Sequence, residues 1–302
     1  RGVIGLSSII LIAFLLSNNR RKIDWKTIII GLSSQLVIAI AVIKVEFVRM
    51  VFEKIGQGFL AIVTFTNQGS RILFGELADS SKYGEIFVFQ VLPVIIFFSA
   101  LTSVLYYYRI IQKVVSGLAW MLTRFLNISG QESLAVAGNI FLGQTESPLM
   151  VRPFIDKMTK SELMAVMTGG FATVSGGVLA IYVSWLSDIP GIAGHLLAAS
   201  VMSAPAALVI AKIIYPETEV SDTMGDLNIE IKQSHTNGME ALSTGATDGL
   251  KLAANIAAML IAFISFVAMI NFFLAFLGTS MEAIFGFIFR PLAWTMGVPW
   301  SE

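Results

Sequence analysis

Gln144, Thr145 and Glu146 put an amide, a hydroxyl and a carboxylate on three consecutive positions. Together they offer donors and acceptors within a few ångströms. That set fits the edge of a heterocyclic base, where donors and acceptors alternate. Glu302, if it reaches the same cavity, is an acceptor-only carboxylate suited to two neighbouring sugar hydroxyls. A second group offers neutral oxygen: the Asn139 side chain, one turn before Gly143, and the Thr173 hydroxyl and Val174 carbonyl beside a run of glycines. Neutral oxygens in a site without water suit a small hard cation such as Na+. Structural readings compete with these. Asn139 and Thr173 can be helix-packing hydrogen bonders, and Glu146 can pair with Arg152.

The surroundings make the polar knot informative. The chain is 56% hydrophobic and 13% charged, with a mean hydropathy of +0.79. No charged residue occurs between Glu85 and Arg109, Glu162 and Asp188, Asp188 and Lys212, or Lys251 and Glu282. Each gap exceeds the ~20 residues needed to cross a bilayer core. The class predicted is an all-α polytopic membrane protein rather than a β-barrel. An ionisable group at membrane depth is a functional candidate by default. Zero cysteines exclude disulfides, thiolate metal sites and a cysteine nucleophile. A formal net charge of zero argues against nucleic acid as a partner.

Length and breaks then define the elements. Residues 3–16 read as a first helix, shortened if the start, Arg1, is trimmed. Arg20, Arg21, Lys22 and Lys26 form the densest basic cluster, so their loop is expected in the cytoplasm and the N-terminus outside. Residues 28–45 return outward. Residues 46–85 carry scattered charge and are expected as an outer interfacial helix plus a loop. Residues 86–108 form a strong span, and 109–130 an amphipathic cytoplasmic helix. Residues 131–160 are the odd segment. The run from Glu132 to Gly143 is about 18 Å of helix at 1.5 Å per residue, too short to cross, and 148–155 returns from it. A re-entrant hairpin with a polar tip is predicted, with free carbonyls of the first arm and free N–H groups of the second converging there.

Residues 163–186 can cross, but Gly169, Gly170, Gly176 and Gly177 argue for a break. Residues 189–211 cross again, 215–242 read as a soluble linker, and 252–281 form a long span. Residues 283–301 make another short run, interrupted by Pro291, Gly297 and Pro299. Both short runs end in glycine, a kink and a carboxylate, which suggests an inverted repeat of the kind that builds transporter sites. Two unrelated helix-end loops are the competing reading.

The motifs from Gly138 through Pro148, from Met158 to Leu163, from Gly169 to Gly177, and from Gly297 to Glu302 resemble the concentrative nucleoside transporters. Agreement extends to Asn67–Gly75 and Pro216–Glu219. The resemblance implies a homotrimer in the cell inner membrane that couples nucleoside uptake to Na+, or in some members to H+. It implies base contacts from Gln144, Thr145 and Glu146, apolar walls at Val178 and Leu252, and ribose binding by Glu302. Sodium would be held by Asn139, Thr173 and the carbonyls of Leu142 and Val174.

It also implies scaffold helices over 1–108, a cytoplasmic interfacial helix over 109–130, and the first half of a transport domain over 131–215. A soluble linker (216–248), a scaffold span (249–281) and the start of a second re-entrant hairpin (282–302) follow. The family continues beyond this point, so the chain is expected to be a C-terminally truncated fragment. Proton-coupled symport and a membrane channel are the alternatives. Enzymatic hydrolysis through Ser147 or Thr145 is disfavoured, because no histidine or lysine in that motif can activate a nucleophile.

Overall fold

The computed structural model describes residues 2–84, 86–144, 147–186, 188–221 and 235–300. Its helices are α1 (Gly2–Leu15), α2 (Trp25–Lys44), α3 (Glu46–Phe74), α4 (Ser80–Tyr83), α5 (Phe87–Tyr107), α6 (Ile110–Leu126) and α7 (Gly130–Gly138). They continue with α8 (Ser147–Met150), α9 (Lys160–Ala172), α10 (Gly176–Trp185), α11 (Ile192–Ile214), α12 (Gly238–Ala275) and α13 (Met281–Thr295). No strand occurs among the described residues. Among the described residues five stretches are long and apolar enough to cross a membrane: Trp25–Lys44, Phe87–Tyr107, Lys160–Val183, Ile192–Ile214 and Gly238–Ala275. This is a multi-pass helical membrane protein.

The chain divides into two compact units, residues 18–253 and residues 1–17 with 254–302. In the larger unit α11 is the central post, with α2, α3 and α9 against it. Segment 46–85 holds the expected helix, but with a buried stripe along it. It is one unbroken helix as far as Phe74, followed by a 3-10 turn, Gly75–Ala78. Gly56, Phe59, Val63, Thr66 and Ser70 are buried along one stripe of it, and α11 and α5 pack against this helix. Its charges mask the stripe in an average over the window. The spacing of three and four carries it. At the crossing with α11, a Cβ on Gly56 would lie 2.8 Å from Ala193 Cβ and 2.8 Å from the Gly194 nitrogen. Small residues let the two backbones approach there.

Helix α6 is amphipathic as expected. Ile111, Val115, Ala119, Leu122 and Leu126 face the core, and Trp120 and Phe125 are exposed. It stops at Asn127, which adopts a left-handed conformation (φ 51°). The core of this unit gathers around α7, where Leu134, Ala135, Val136 and Ala137 meet Leu122, Val166 and Leu208. Asp24 caps α2, accepting from Lys26 N at 3.0 Å and from the Thr27 hydroxyl at 2.6 Å. The Thr27 hydrogen bond holds its carboxyl below the usual range.

Three expectations need correction. The second hairpin arm is a single α turn, α8, followed by a 3-10 segment, Arg152–Lys157, with Pro153 in its first turn. It is not a half-length helix, since Pro153 has no N–H to continue the ladder. Second, helix α12 begins at Gly238, inside the segment expected as a linker. Two side chains fix that start. Asn237 Oδ1 accepts from Glu240 N at 2.8 Å, while Glu240 Oε2 accepts from Thr236 N at 2.7 Å. Third, α13 runs through Pro291 to Thr295 without a break. A proline removes one ladder bond, and the turns on either side carry the helix past it.

In the smaller unit α1 packs against α13. A Cβ on Gly5 would overlap the Thr295 carbonyl oxygen, so only glycine fits. The Asn271 amide donates to both Glu282 oxygens at 3.0 Å and accepts from Met281 N at 2.8 Å, which holds the start of α13.

Overpacking the α3–α11 crossing is expected to be costly. Gly56→Leu should destabilise the protein by about 1–3 kcal/mol, read as a lowered melting temperature in detergent. Gly58→Leu, two residues on and with nothing within 4 Å of its Cβ, should instead stabilise it by about 0.5–1 kcal/mol through helix propensity.

Candidate functional site

Helix α7 begins with a capping box. Ser129 N donates to Glu132 Oε1 at 2.9 Å, and Glu132 N donates to Ser129 Oγ at 3.3 Å. All nine of its residues are buried. It ends at Asn139, after which Phe141 N and Leu142 N both donate to the Gly138 carbonyl, at 3.1 and 2.8 Å. The chain then folds back. Ser147 Oγ donates a hydrogen bond to the Ala135 carbonyl. Gly138 leaves room for it, since a Cβ there would meet Ser147 Oγ at 2.9 Å. The hairpin is therefore closed back to back by a hydroxyl and a glycine.

Helix α9 starts with a second capping box, in which Thr159 N donates to Glu162 Oε2 at 2.8 Å and Glu162 N donates to Thr159 Oγ1 at 3.1 Å. The expected break in this span is present, but its cause is different. Thr173 is extended (φ −116°, ψ 158°), and Ser175 caps α10 by accepting from Val178 N at 3.4 Å. The four glycines lie within the flanking helices, and three of them serve close approach. A Cβ on Gly169 would be 2.9 Å from Val136, one on Gly170 would be 3.3 Å from Gln144 Cβ, and one on Gly176 would overlap the Phe98 ring.

Hairpin and break meet directly. Gly176 N donates to the Phe141 carbonyl at 3.1 Å. Asn139 is 1% exposed. In the amide orientation that satisfies both ends, its nitrogen donates to the Gly143 carbonyl at 3.2 Å and its oxygen accepts from Gly170 N at 3.2 Å. Thr173 Oγ1 donates to the Gly169 carbonyl at 2.9 Å, which leaves its lone pairs free to accept. Leu142 is buried and Val174 exposed. Among the described residues no hydrogen bond is donated to either carbonyl.

The structure thus brings Asn139, Leu142 and Gln144 against the α9–α10 break that carries Thr173 and Val174. Gln144 is exposed beside it, and Val178 is half-buried in the first turn of α10. Leu252 lies on α12, one turn beyond Gly249, which packs on Ile96 and Ser99 of α5. Thr145, Glu146 and Glu302 lie outside the described residues, and with them the alternative pairing of Glu146 with Arg152. Phe98 and Phe141 join the two elements, and reasoning from sequence does not find them as site residues. Their signal is the Gly176–Gly177 pair opposite them.

Short helices that stop within a membrane protein and turn their ends on one another are a feature of secondary transporters. Three family models match in order: Na+ dependent nucleoside transporter N-terminus over residues 4–77, nucleoside recognition over 88–188, and Na+ dependent nucleoside transporter C-terminus over 195–302. An uncharacterized transporter of Bacillus subtilis (strain 168), YutK, is 40% identical over 311 residues, covering 100% of this chain and 75% of that protein. The sodium/nucleoside cotransporter 2 of Rattus norvegicus is 40% identical over 306 residues, covering 99% of this chain and 45% of that protein. A structure of CNTnw in an inward-facing substrate-bound state is 38% identical, with a TM-score of 0.91 over 100% of this chain and 74% of that one. The chain belongs to the Na+ dependent nucleoside transporter family. It spans about 45% of the length of the mammalian relatives it matches.

The contact of Gly176 with Phe98 and Phe141 can be tested by a double-mutant cycle. Gly176→Val should cost about 1–3 kcal/mol through overpacking. Combined with Phe98→Ala, the loss in melting temperature should fall short of the sum of the two single losses.

Proposed function

We propose that the protein is a sodium-coupled nucleoside symporter of the cytoplasmic membrane, working by alternating access. The observation that carries this reading is the junction of the hairpin end with the interrupted helix, tied by the Gly176–Phe141 hydrogen bond and by the contacts of Asn139 and Gln144 with Gly170. Asn139, Thr173 and the carbonyls of Leu142 and Val174 would hold Na+. None of these groups takes up a proton near neutral pH, which favours Na+ over H+ as the coupling ion.

Gln144, Thr145 and Glu146 would bind the base, with Val178 and Leu252 as apolar walls and Glu302 on the ribose hydroxyls. Relatives named as sodium/nucleoside cotransporters support that substrate class. Similar structures in inward-facing and outward-facing states support alternating access. Residues 131–215 would move as the first half of a transport domain, with 1–108 and 249–281 belonging to a scaffold that holds a homotrimer. The basic turn Arg20–Lys22 and the end of α11 share one side, since Asn18 N donates to the Ile214 carbonyl at 2.8 Å. By the positive-inside rule that side is cytoplasmic, and the N-terminus is outside.

Uptake of radiolabelled uridine into liposomes by the full-length protein tests this reading. Uptake should require an inward Na+ gradient, and gradient-independent uptake would refute sodium coupling. Asn139→Ala should raise the half-saturating Na+ concentration about tenfold, equivalent to ~1.4 kcal/mol of lost coordination. Glu146→Ala should abolish uptake, and wild-type uptake by that variant would remove Glu146 from the site.

A further inference from the structure

We infer that Lys212 is a positioning residue, a buried hub that sets the axial register of the hairpin arm α7 against α9 and thereby the placement of Asn139. Lys212 is on the last turn of α11 and is 8% exposed. Its ammonium group has three partners from three parts of the chain. Nζ is 2.8 Å from Glu132 Oε2 in the first turn of α7, donates to Ser161 Oγ at 3.0 Å in the first turn of α9, and is 3.6 Å from Glu217 Oε2 beyond α11. Glu132 and Ser161 are themselves buried.

The partners are held in turn. Ser161 Oγ donates to the Tyr215 carbonyl at 2.7 Å, and Thr159 Oγ1 donates to Glu217 Oε2 at 2.8 Å. Glu132 and Glu162 share one device: each uses one carboxylate oxygen in its capping box and turns the other outward. Glu132 meets Lys212, and Glu162 accepts from the Ser221 hydroxyl. Two helix N-termini, which favour negative charge, and one C-terminus, which favours positive charge, thus meet at Lys212.

The hub matters because of what lies at the other end. Helices α7 and α9 start side by side at Lys212 and touch again where Val136 and Asn139 face Gly169 and Gly170. A glycine surface has no knob to interlock with a neighbour, so it permits approach without fixing the position along the axis. At that end the Asn139–Gly170 hydrogen bond is a directional contact, and at the other Lys212 adds an ion pair to Glu132 and a hydrogen bond to Ser161. Helix α7 is only nine residues, about 13 Å at 1.5 Å per residue. A shift at its start passes undiminished to Asn139.

The consequence for transport rests on the symporter reading, so the test has one arm that does not. These 302 residues contain no cysteine; with any cysteine elsewhere in the full-length protein replaced by serine, Ala137→Cys introduces a single thiol at a position 0% exposed. Lys212→Met alone strands a buried carboxylate. The informative variant is therefore the neutral pair Glu132→Gln with Lys212→Met, in which the glutamine keeps its capping oxygen. In the full-length protein in liposomes, the introduced thiol should react with N-ethylmaleimide at least about tenfold faster in the neutral pair than in the native background. The half-saturating Na+ concentration for uridine uptake should rise about fivefold or more, with maximal uptake changed less than about twofold. Lys212→Arg with Glu132 retained, which keeps the ion pair, should hold both readings within about twofold of native. Equal thiol reactivity in the two backgrounds overturns the hub whatever transport shows, and unchanged sodium half-saturation with faster labelling overturns its role in positioning. Absence of sodium-driven uptake in the native protein refutes the symporter reading instead, and the labelling arm then still decides the hub.

Discussion

A helix that stops inside a membrane protein leaves N–H and C=O groups with no water to receive them, and each unmet group costs several kcal/mol in hydrocarbon. Helices α7, α9 and α10 all have ends of this kind, and most of the larger unit answers to that constraint. The N-terminal ends of α7 and α9 are met by side chains, through the Ser129–Glu132 and Thr159–Glu162 capping boxes. The start of α10 is met by Ser175 and by the Phe141 carbonyl. At the hairpin turn the Leu142 carbonyl receives no donor among the described residues.

Close approach is the second requirement, and glycine supplies it. Gly138 admits Ser147, Gly169 admits Val136, and Gly176 admits Phe98 and the Phe141 carbonyl. Side chains at these positions would separate the hairpin from the interrupted helix and open the junction. The same smoothness gives up lateral specificity, which explains why a directional ionic cluster sits at the far end of the same pair of helices. Stability and function are coupled through this division. Buried charge is expensive, and the three partners of Lys212 distribute it over capping and pairing together.

Much of the candidate site is legible in one dimension. The short apolar runs, the polar triplet from Gln144 to Glu146, and Asn139 one turn before Gly143 all follow from spacing and hydropathy. Propensity reads the glycine cluster as the break itself, yet the chain breaks at Thr173 and Val174, and the glycines are inside helices. Propensity describes an isolated helix, whereas these glycines answer to neighbours that are remote in sequence. Segment 46–85 misleads for a related reason. Averaged hydropathy hides the buried stripe from Gly56 to Ser70, which a helical periodicity test finds. The S/T-x-x-E signatures at Ser129 and Thr159 are also readable in the sequence, and they mark both buried helix starts.

Hydropathy and spacing are enough to establish that the chain lives in a membrane, that its spans are helical, that some are too short to cross, and which polar residues stand near those interruptions. These are properties of consecutive residues, and the lipid environment enforces them through apolar length. Which ends meet is settled only when whole helices pack. That Phe141 receives Gly176, that Asn139 lies between Gly143 and Gly170, and that Lys212 gathers Glu132, Ser161 and Glu217 are consequences of that packing. The partners come together from distant elements, and no local pattern encodes which of several buried carboxylates a given lysine will reach.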